Sequence, residues 1–200
     1  MNMQAMWDIF LDSWVTMDWG YNDVACGEII ESPLYFSSDG MVPTEETQKR
    51  VERKQNDSRR YHVMAEVTAV WDYKWEIDFG LRAISANPVP AGVTRGSYVT
   101  GEVELGIDYP PTDLLGYRWS IEAITKETAP RIPVDDKEFM RRHPKHRISD
   151  LARATYTNVE RTDGYSDSLL EETHIRYILY CQRMDSGNAS DRAKSVMHRP

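Results

Sequence analysis

Six carboxylates are the residues of this chain whose type and spacing could do chemistry. They fall on three consecutive predicted strands, as Glu66, then Glu76 and Asp78, then Glu102, Glu104 and Asp108. Opposed carboxylates act as acid and base in glycoside hydrolysis, or bind a divalent cation through oxygen. The spacing predicts one acidic face. A solvated surface is its simplest interpretation, and a carboxylate-dependent hydrolase with Glu102 and Glu104 as first candidates is the catalytic one.

The first 48 residues form a second candidate site. They hold nine carboxylates, no Lys or Arg, and three of the six Trp of the chain. Negative charge beside aromatic rings favours contact with a basic or apolar partner, and aromatic side chains ringed by charge dominate binding energies. The sequence therefore predicts a partner-binding set that comprises Trp7, Asp8, Asp12, Trp14, Asp18, Trp19, Tyr21 and Asp23.

Motifs typical of catalysis do not appear in the sequence. His143 and His146 lie among Arg and Lys, whereas metal ligands need neighbouring anions or thiolates. No glycine-rich phosphate loop and no Gly-x-Ser-x-Gly elbow is present. We therefore expect no catalytic residue, no metal and no cofactor, and the sequence favours a protein that is not an enzyme.

Positive charge is concentrated in two stretches, the first basic block at residues 49–60 and the second basic block at 137–153. The net charge of -8 repels phosphate, so these blocks are the only candidate nucleic-acid patches. Their simpler role is to neutralise acids within the fold. Four aromatic residues lie close together in the sequence, namely Trp71, Tyr73, Trp75 and Phe79. They could stack on bases if they were exposed, but packing in the core is the favoured interpretation.

The elements that must position these residues follow from the hydrophobic period. Apolar residues at helical spacing predict an amphipathic helix over residues 3–15, which could dock on the chain's own core or on a partner. From Tyr61 the period changes to two, which indicates strands. We predict strands over residues 61–71, 75–83, 97–109, 117–123, 155–161 and 174–182, with a short helix over 136–143 that begins at an Asp135–Glu138 capping box.

The fold class predicted from these elements is mainly β (α+β), a small antiparallel β-barrel. Gly101 and Gly106 inside one strand indicate a bend that lets a sheet coil, and the OB architecture is the nearest general pattern. We divide the chain into an acidic, Trp-rich segment at 1–48, a barrel domain at 61–184 and a flexible polar tail at 185–200.

The expected compartment is the cytoplasm. The N-terminus lacks the positive region of a secretory signal, and no stretch approaches the roughly 18 apolar residues that cross a bilayer. We expect Cys26 and Cys181 to be free thiols, although their spacing leaves a disulfide open. The oligomeric state is also left open, and a homo-oligomer fits the sequence.

Three functions remain. The leading hypothesis is a non-catalytic intracellular binding protein, such as an inhibitor or an immunity-type protein, that caps a basic protein partner through an acidic and aromatic surface. The alternatives are an OB-like nucleic-acid module that uses the two basic blocks, and the carboxylate-dependent hydrolase. Nucleic acid is the less favoured partner on charge, and no membrane partner is expected, because the polar face of the N-terminal helix is acidic.

Overall fold

The computed structural model describes residues 6–12, 15, 24–54, 59–107, 116–135, 141–142, 147–163 and 173–184. Nearly all regular structure in these ranges is β, which confirms the mainly β prediction. The strands are β1 Met6–Asp12, β2 Ile29–Ser32, β3 Leu34–Ser37, β4 Met41–Thr44, β5 Arg50–Arg53, β6 Tyr61–Val70, β7 Trp75–Asp78, β8 Arg82–Ser85, β9 Tyr98–Ile107, β10 Tyr117–Pro133, β11 Arg147–Ser149, β12 Thr155–Val159 and β13 Thr173–Arg183.

Five of these strands close into a barrel, as the sequence predicts. β6 pairs with β7 and β9, β7 pairs with β8, and β3 closes the ring by pairing with both β8 and β9. Every pair in the ring is antiparallel except β3 with β8. The alternating apolar residues of the long strands fill the interior, among them Val63, Val67, Val99, Val103 and Leu105.

Gly101 is required where β4 pairs with β9, with Met41 opposite Gly101. A Cβ atom built at Gly101 would lie 2.7 Å from the carbonyl oxygen of Gly40 and 2.7 Å from the sulfur of Met41. A Cβ at Gly106 would meet only the carbonyl oxygen of Phe10, at 3.4 Å. The first glycine therefore permits a close backbone approach, and the second is far less constrained.

The same sheet continues beyond the barrel. β13 pairs with β10 on one side and with β1 on the other, while β2, β11 and β12 pair with further parts of the 17-residue β10. β1 then runs parallel to the end of β9, with Phe10 and Leu11 opposite Gly106 and Ile107. Barrel and sheet therefore share one hydrophobic core.

The predicted helix over residues 3–15 is wrong, because Met6–Asp12 forms strand β1. Ile9 and Leu11 point into the shared core, and Phe10 is buried on the opposite face. A strand that is covered on both faces carries consecutive apolar residues, and such a short run matches a helical period as well as a strand. The periodicity alone could not separate the two structures.

Several predicted boundaries shift. The expected strand over 75–83 breaks into β7 and β8 around Gly80, whose φ is +104°. β10 continues ten residues beyond Ala123, through Pro130 to Pro133. The predicted helix at 136–143 lies mostly outside the described residues, and so does the predicted tail at 185–200. β3 and β4 show that part of the acidic segment at 1–48 supplies strands to the barrel region.

Both cysteines are free thiols in the structure, as expected. Cys181 is buried in the shared core, and burial raises the pKa of its thiol to about 12. Cys26 is half-buried, and its thiol lies 3.7 Å from the carbonyl oxygen of Val159. Among the described residues, no helix is long and apolar enough to span a membrane.

Candidate functional site

A cleft of about 230 Å³ opens where the part of the sheet beyond the barrel meets the barrel. Its walls come from the ends of β1, β3 and β9, from the residues after β8, and from one side chain of β13. The lining combines aromatic, acidic and small polar groups, namely Phe10, Asp12, Tyr35, Phe36, Ser37, Ser85, Ala86, Asn87, Glu104, Leu105, Gly106, Ile107 and Arg176. We define this set as the junction cleft.

Two carboxylates face the junction cleft. Glu104 projects from β9 and accepts a hydrogen bond from Arg176 Nη1 at 2.7 Å. Burial raises the pKa of Glu104, although Arg176 acts in the opposite direction. Asp12 ends β1 opposite Arg176 in the strand register. Among the described residues, no cation lies within 4 Å of the Asp12 carboxylate, so Asp12 is the cleft's less neutralised acid.

Arg176 contacts both an acidic and an aromatic residue of the junction cleft. Its Nε donates to Glu127 Oε1 at 2.5 Å, and its guanidinium lies 4.0 Å from the centre of the Phe10 ring. Glu127 is almost fully buried on β10, where Arg59 also approaches it at 3.8 Å. Burial lowers the pKa of Arg176, but the hydrogen bond to Glu127 and the charge of Glu104 outweigh it and raise that pKa overall.

The first basic block neutralises acids within the fold. Five of its cations form ion pairs with carboxylates from other parts of the chain. The pairs are Lys49 with Glu66 and Asp78, Arg53 with Asp8, Lys54 with Glu102, Arg59 with Glu127, and Arg60 with Asp39. Bound in this way, these side chains are poorly placed to contact phosphates. The described parts of the second basic block, residues 141–142 and 147–153, lie mostly at the surface.

The predicted partner-binding set divides into three parts. Asp12 faces the junction cleft, Trp7 packs half-buried on Tyr61 with ring centres 5.2 Å apart, and Asp8 is fully buried beside Arg53 at 2.5 Å. The rest of the set lies outside the described residues, namely Trp14, Asp18, Trp19, Tyr21 and Asp23. Only Asp12 is placed for direct contact with a partner in the part of the chain that is described.

Asp8 sits in the most enclosed position of that set. Its Oδ2 accepts from Arg53, and its backbone N–H donates to the Tyr61 hydroxyl at 2.7 Å. Its Oδ1 has no partner among the described residues. Burial raises the pKa of Asp8 against the charges of Arg53 and Arg59. This carboxylate therefore belongs to the interior and not to a binding surface.

The predicted acidic face is largely paired with cations. Glu66 and Asp78 share Lys49 at 2.8 and 2.9 Å, and Glu76 is buried at 2.6 Å from Arg82. Glu102 pairs with Lys54, and Glu104 faces the junction cleft with Arg176, while Asp108 lies outside the described residues. The structure thus brings Glu104 together with Asp12, from the partner-binding set, and not with Glu76 or Asp78.

The aromatic wall and Arg176 were not predicted from the sequence. The helical spacing over residues 3–15 predicts Phe10 on a helix, and no pattern in the sequence marks Tyr35. A signal for Arg176 existed, since one cation interrupts the apolar run Ile175–Cys181, and a charge inside such a strand needs a partner. Nothing in the sequence indicates that this partner is Glu127 of β10, because strand pairing decides it.

The four aromatic residues around the β6–β7 turn differ in their exposure to solvent. Trp75 and Phe79 are buried in the core, as expected. Trp71 and Tyr73 are 41% and 73% exposed, and Lys74 Nζ lies 5.1 and 5.7 Å from their ring centres. Two rings that were assigned to the core are therefore open to solvent at this turn.

A metal site needs several ligating side chains close together. In the ranges that the structure describes, no three His, Cys, Asp or Glu side chains group into a metal site. Comparisons with protein-family models, with curated protein sequences and with solved structures found no match to this chain. The proposed function therefore depends on the geometry and charge of this chain alone.

Proposed function

We propose that this protein is a non-catalytic binding protein that captures a basic protein partner at the junction cleft, as an inhibitor or immunity-type protein does. The observation that carries the proposal is the meeting of Asp12 and Glu104 with the rings of Phe10, Tyr35 and Phe36 in one concave site. Carboxylates beside aromatic faces suit Lys and Arg side chains, which bind through charge and through the ring quadrupole.

Charge supports the same partner class. The cleft lining carries two carboxylates against the single guanidinium of Arg176, and the whole chain carries a net charge of -8. A negative field around a concave site increases the rate at which a basic partner is captured, and added salt screens that field. Affinity for the partner is therefore expected to fall as ionic strength rises.

An affinity capture from cell lysate tests this function. The tagged full chain is washed at low and at high salt, and the retained proteins are identified by mass spectrometry. We expect one stoichiometric basic protein whose retention weakens with salt. Recovery of no protein at low salt, or of an acidic protein that high salt does not release, would contradict the proposal.

A second candidate function, nucleic-acid binding, is favoured by the connectivity of the barrel. In an OB barrel a three-stranded meander is closed by two more strands, and the last strand runs parallel to the third. β6, β7 and β8 would be the meander, and β3, although early in the chain, would take the place of the last strand beside β8. This supports an OB-like barrel with permuted strand order.

The contacts of the barrel make that candidate weaker than the first. OB barrels bind oligonucleotides over the second and third strands, but Glu76 and Ile84, which pair across β7 and β8, are both buried. The exposed Trp71 and Tyr73 remain as stacking groups. Filter binding of single- and double-stranded DNA and RNA tests nucleic-acid binding. Genuine phosphate contacts would retain the nucleic acid at low salt and weaken steeply with added salt.

The hydrolase alternative has one observation in its favour. The raised pKa of Glu104 suits a general acid, and Asp12 is a second carboxylate in the same cleft. Glu102 pairs with Lys54 outside the lining of this cleft, so the catalytic pair would be Glu104 with Asp12 and not Glu104 with Glu102. A screen of glycoside substrates with a Glu104→Gln variant as control tests this alternative.

A further inference from the structure

Gly106 leaves a gap on the face of the sheet that is opposite to the shared core. It lies opposite Phe10 of β1 on one side and Tyr35 of β3 on the other. Residues that pair across strands point to the same face of a sheet, so the Phe10 and Tyr35 side chains flank a position that has no side chain. β1 and β3 lie two strand spacings apart here, which is about 10 Å. One slim side chain of a partner can lie in that space.

Both carboxylates of the junction cleft share the face on which this gap lies. Glu104 precedes Gly106 by two residues on β9, and Asp12 follows Phe10 by two residues on β1, so both belong to the same face. A Cβ atom at Gly106 would meet one described atom within 4 Å, the carbonyl oxygen of Phe10 at 3.4 Å. The cleft volume of about 230 Å³ is smaller than that of most small-molecule pockets and suits a single side chain.

Arg176 does not neutralise Asp12, although the two residues are opposite each other in the strand register. Its Nε and Nη2 donate to the two carboxylate oxygens of Glu127 at 2.5 and 3.4 Å, and its Nη1 donates to Glu104 at 2.7 Å. All three nitrogens of the guanidinium are therefore engaged by other acids. Among the described residues, no hydrogen-bond donor contacts either oxygen of the Asp12 carboxylate.

The charge of the junction cleft fits one monovalent cation. Asp12 and Glu104 against Arg176 leave its lining with a net charge of -1, and the buried Glu127 behind the lining is offset by Arg59 at 3.8 Å. A guanidinium suits a carboxylate whose two oxygens are both available, because its fork donates to both, and its flat face packs on aromatic rings. The ammonium group of lysine is more strongly hydrated and lacks the fork.

From the gap, the Asp12 carboxylate and the net charge, we propose that the junction cleft holds one arginine side chain of the basic partner. This side chain lies over Gly106 between Phe10 and Tyr35, and its guanidinium donates to Asp12. The inference rests on the proposed function, because it names the residue type by which the partner binds. A lysine side chain, or an uncharged one of the same shape, binds there more weakly.

Three capped amino acids test the proposal on the full chain at constant ionic strength. They are the Nα-acetyl methyl amides of arginine, lysine and citrulline, and citrulline keeps the shape of arginine with an uncharged urea group. Binding is followed by NMR of the ¹⁵N-labelled protein, with the Gly106 amide assigned from its loss in Gly106→Val. We expect saturable binding of the arginine probe. The lysine probe should bind about fivefold more weakly, for one hydrogen bond, and the citrulline probe about tenfold more weakly, for the charge.

Substitutions in and outside the junction cleft locate the site. Asp12→Asn removes the carboxylate, so the arginine probe should lose about tenfold in affinity and its advantage over citrulline. Gly106→Val fills the gap, so the affinity for all three probes should fall. Tyr35→Ala removes one flanking ring and should weaken the arginine probe, and it tests the same location if Gly106→Val does not fold. Asp72→Asn changes an exposed carboxylate at the β6–β7 turn and should leave all three affinities unchanged.

Lysine or citrulline probes that bind as tightly as the arginine probe would overturn the proposal. The same holds for arginine binding that Asp12→Asn leaves unchanged, or for no saturable binding up to the solubility limit of the arginine probe. Failure of the proposed function gives a different result, because the arginine probe would then bind while the lysate capture retains no protein. A captured basic protein without binding of the arginine probe would contradict the arginine site alone.

Discussion

At the scale of single residues, Arg176 is the side chain that connects the largest part of the junction cleft to the buried Glu127. It binds Glu127 of β10 and Glu104 of β9, and it covers the ring of Phe10 on β1. Three strands of the barrel–sheet junction are therefore linked through one guanidinium. Removal of either partner of a buried pair leaves the other charge uncompensated, and this makes such pairs sensitive to mutation.

Glu127→Gln is expected to lower the free energy of unfolding by about 3 kcal/mol, the low end of the range for breaking a buried ion pair, because Arg176 keeps Glu104. Glu102→Gln is the matched control, since it removes the same charge from an exposed pair with Lys54 and should change stability little. Urea unfolding of both variants measures the difference. Equal stability of the two variants would contradict this role of Glu127.

His174 makes a prediction about pH. Burial lowers the pKa of this imidazole, with Arg176 and Arg131 acting in the same direction and Asp12 against them. The folded state therefore favours the neutral ring, while the unfolded chain protonates near pH 6.5. The unfolding free energy should fall as pH drops below about 6.5, by at most about 1.4 kcal/mol per pH unit from this group.

The His174→Gln variant isolates that contribution. Because Asp8 and Glu104 also have shifted pKa values, the quantity to compare is the pH dependence of stability in the variant against that in the native chain. Urea unfolding between pH 7.5 and pH 5.5 should show a shallower decline in the variant. The same slope in both proteins would show that His174 titrates alike in the folded and unfolded states.

At the scale of the elements, strands were predictable where one face is buried and the other is not. β6, β9 and β13 lie close to their predicted positions, because an alternating pattern marks a half-buried strand. β1 was mistaken for a helix because both of its faces are covered. The long β10 was predicted only as far as Ala123, since its later part carries prolines that normally argue against a strand.

The candidate site was less predictable than the strands. Asp12 and Glu104 were each singled out, yet their meeting depends on β1 running parallel to the end of β9, which no local pattern specifies. The pairing of the first basic block with acids of β1, β6, β7 and β9 likewise needs the tertiary fold. Residue types indicated the chemistry, and strand pairing decided which residues come together.

Gly101 tests the packing of the elements. Gly101→Ala places a Cβ atom against the backbone of Gly40 and the sulfur of Met41, so β4 must move away from β9. We expect the free energy of unfolding to fall by about 1–3 kcal/mol, as for other overpacked sites. The matched Gly106→Ala change meets one atom at 3.4 Å and should cost less. Thermal unfolding compares the two, and a larger loss at Gly106 would contradict the account.

At the scale of the whole molecule, an acidic chain has neutralised much of its charge internally. Five cations of the first basic block form ion pairs, namely Lys49, Arg53, Lys54, Arg59 and Arg60, and most of the predicted acidic face is paired. The global charge of -8 remains, and the junction cleft brings the carboxylates of Asp12 and Glu104 together with the side chains of Phe10, Tyr35 and Phe36 in one concave site. This concentration is the reason to place a basic partner there.

The most direct test compares two variants that lose the same charge in different places. Asp12→Asn removes a carboxylate of the junction cleft, and Asp72→Asn removes an exposed one at the β6–β7 turn. The affinity of the captured partner for each variant is measured by calorimetry over a range of salt concentrations.

We expect Asp12→Asn to weaken binding about tenfold, the value of one charge-assisted contact, and to flatten its salt dependence, while Asp72→Asn behaves like the native chain. Equal effects of the two substitutions would mean that only the overall charge matters. That result, or unchanged binding by Asp12→Asn, would contradict the junction cleft as the binding site.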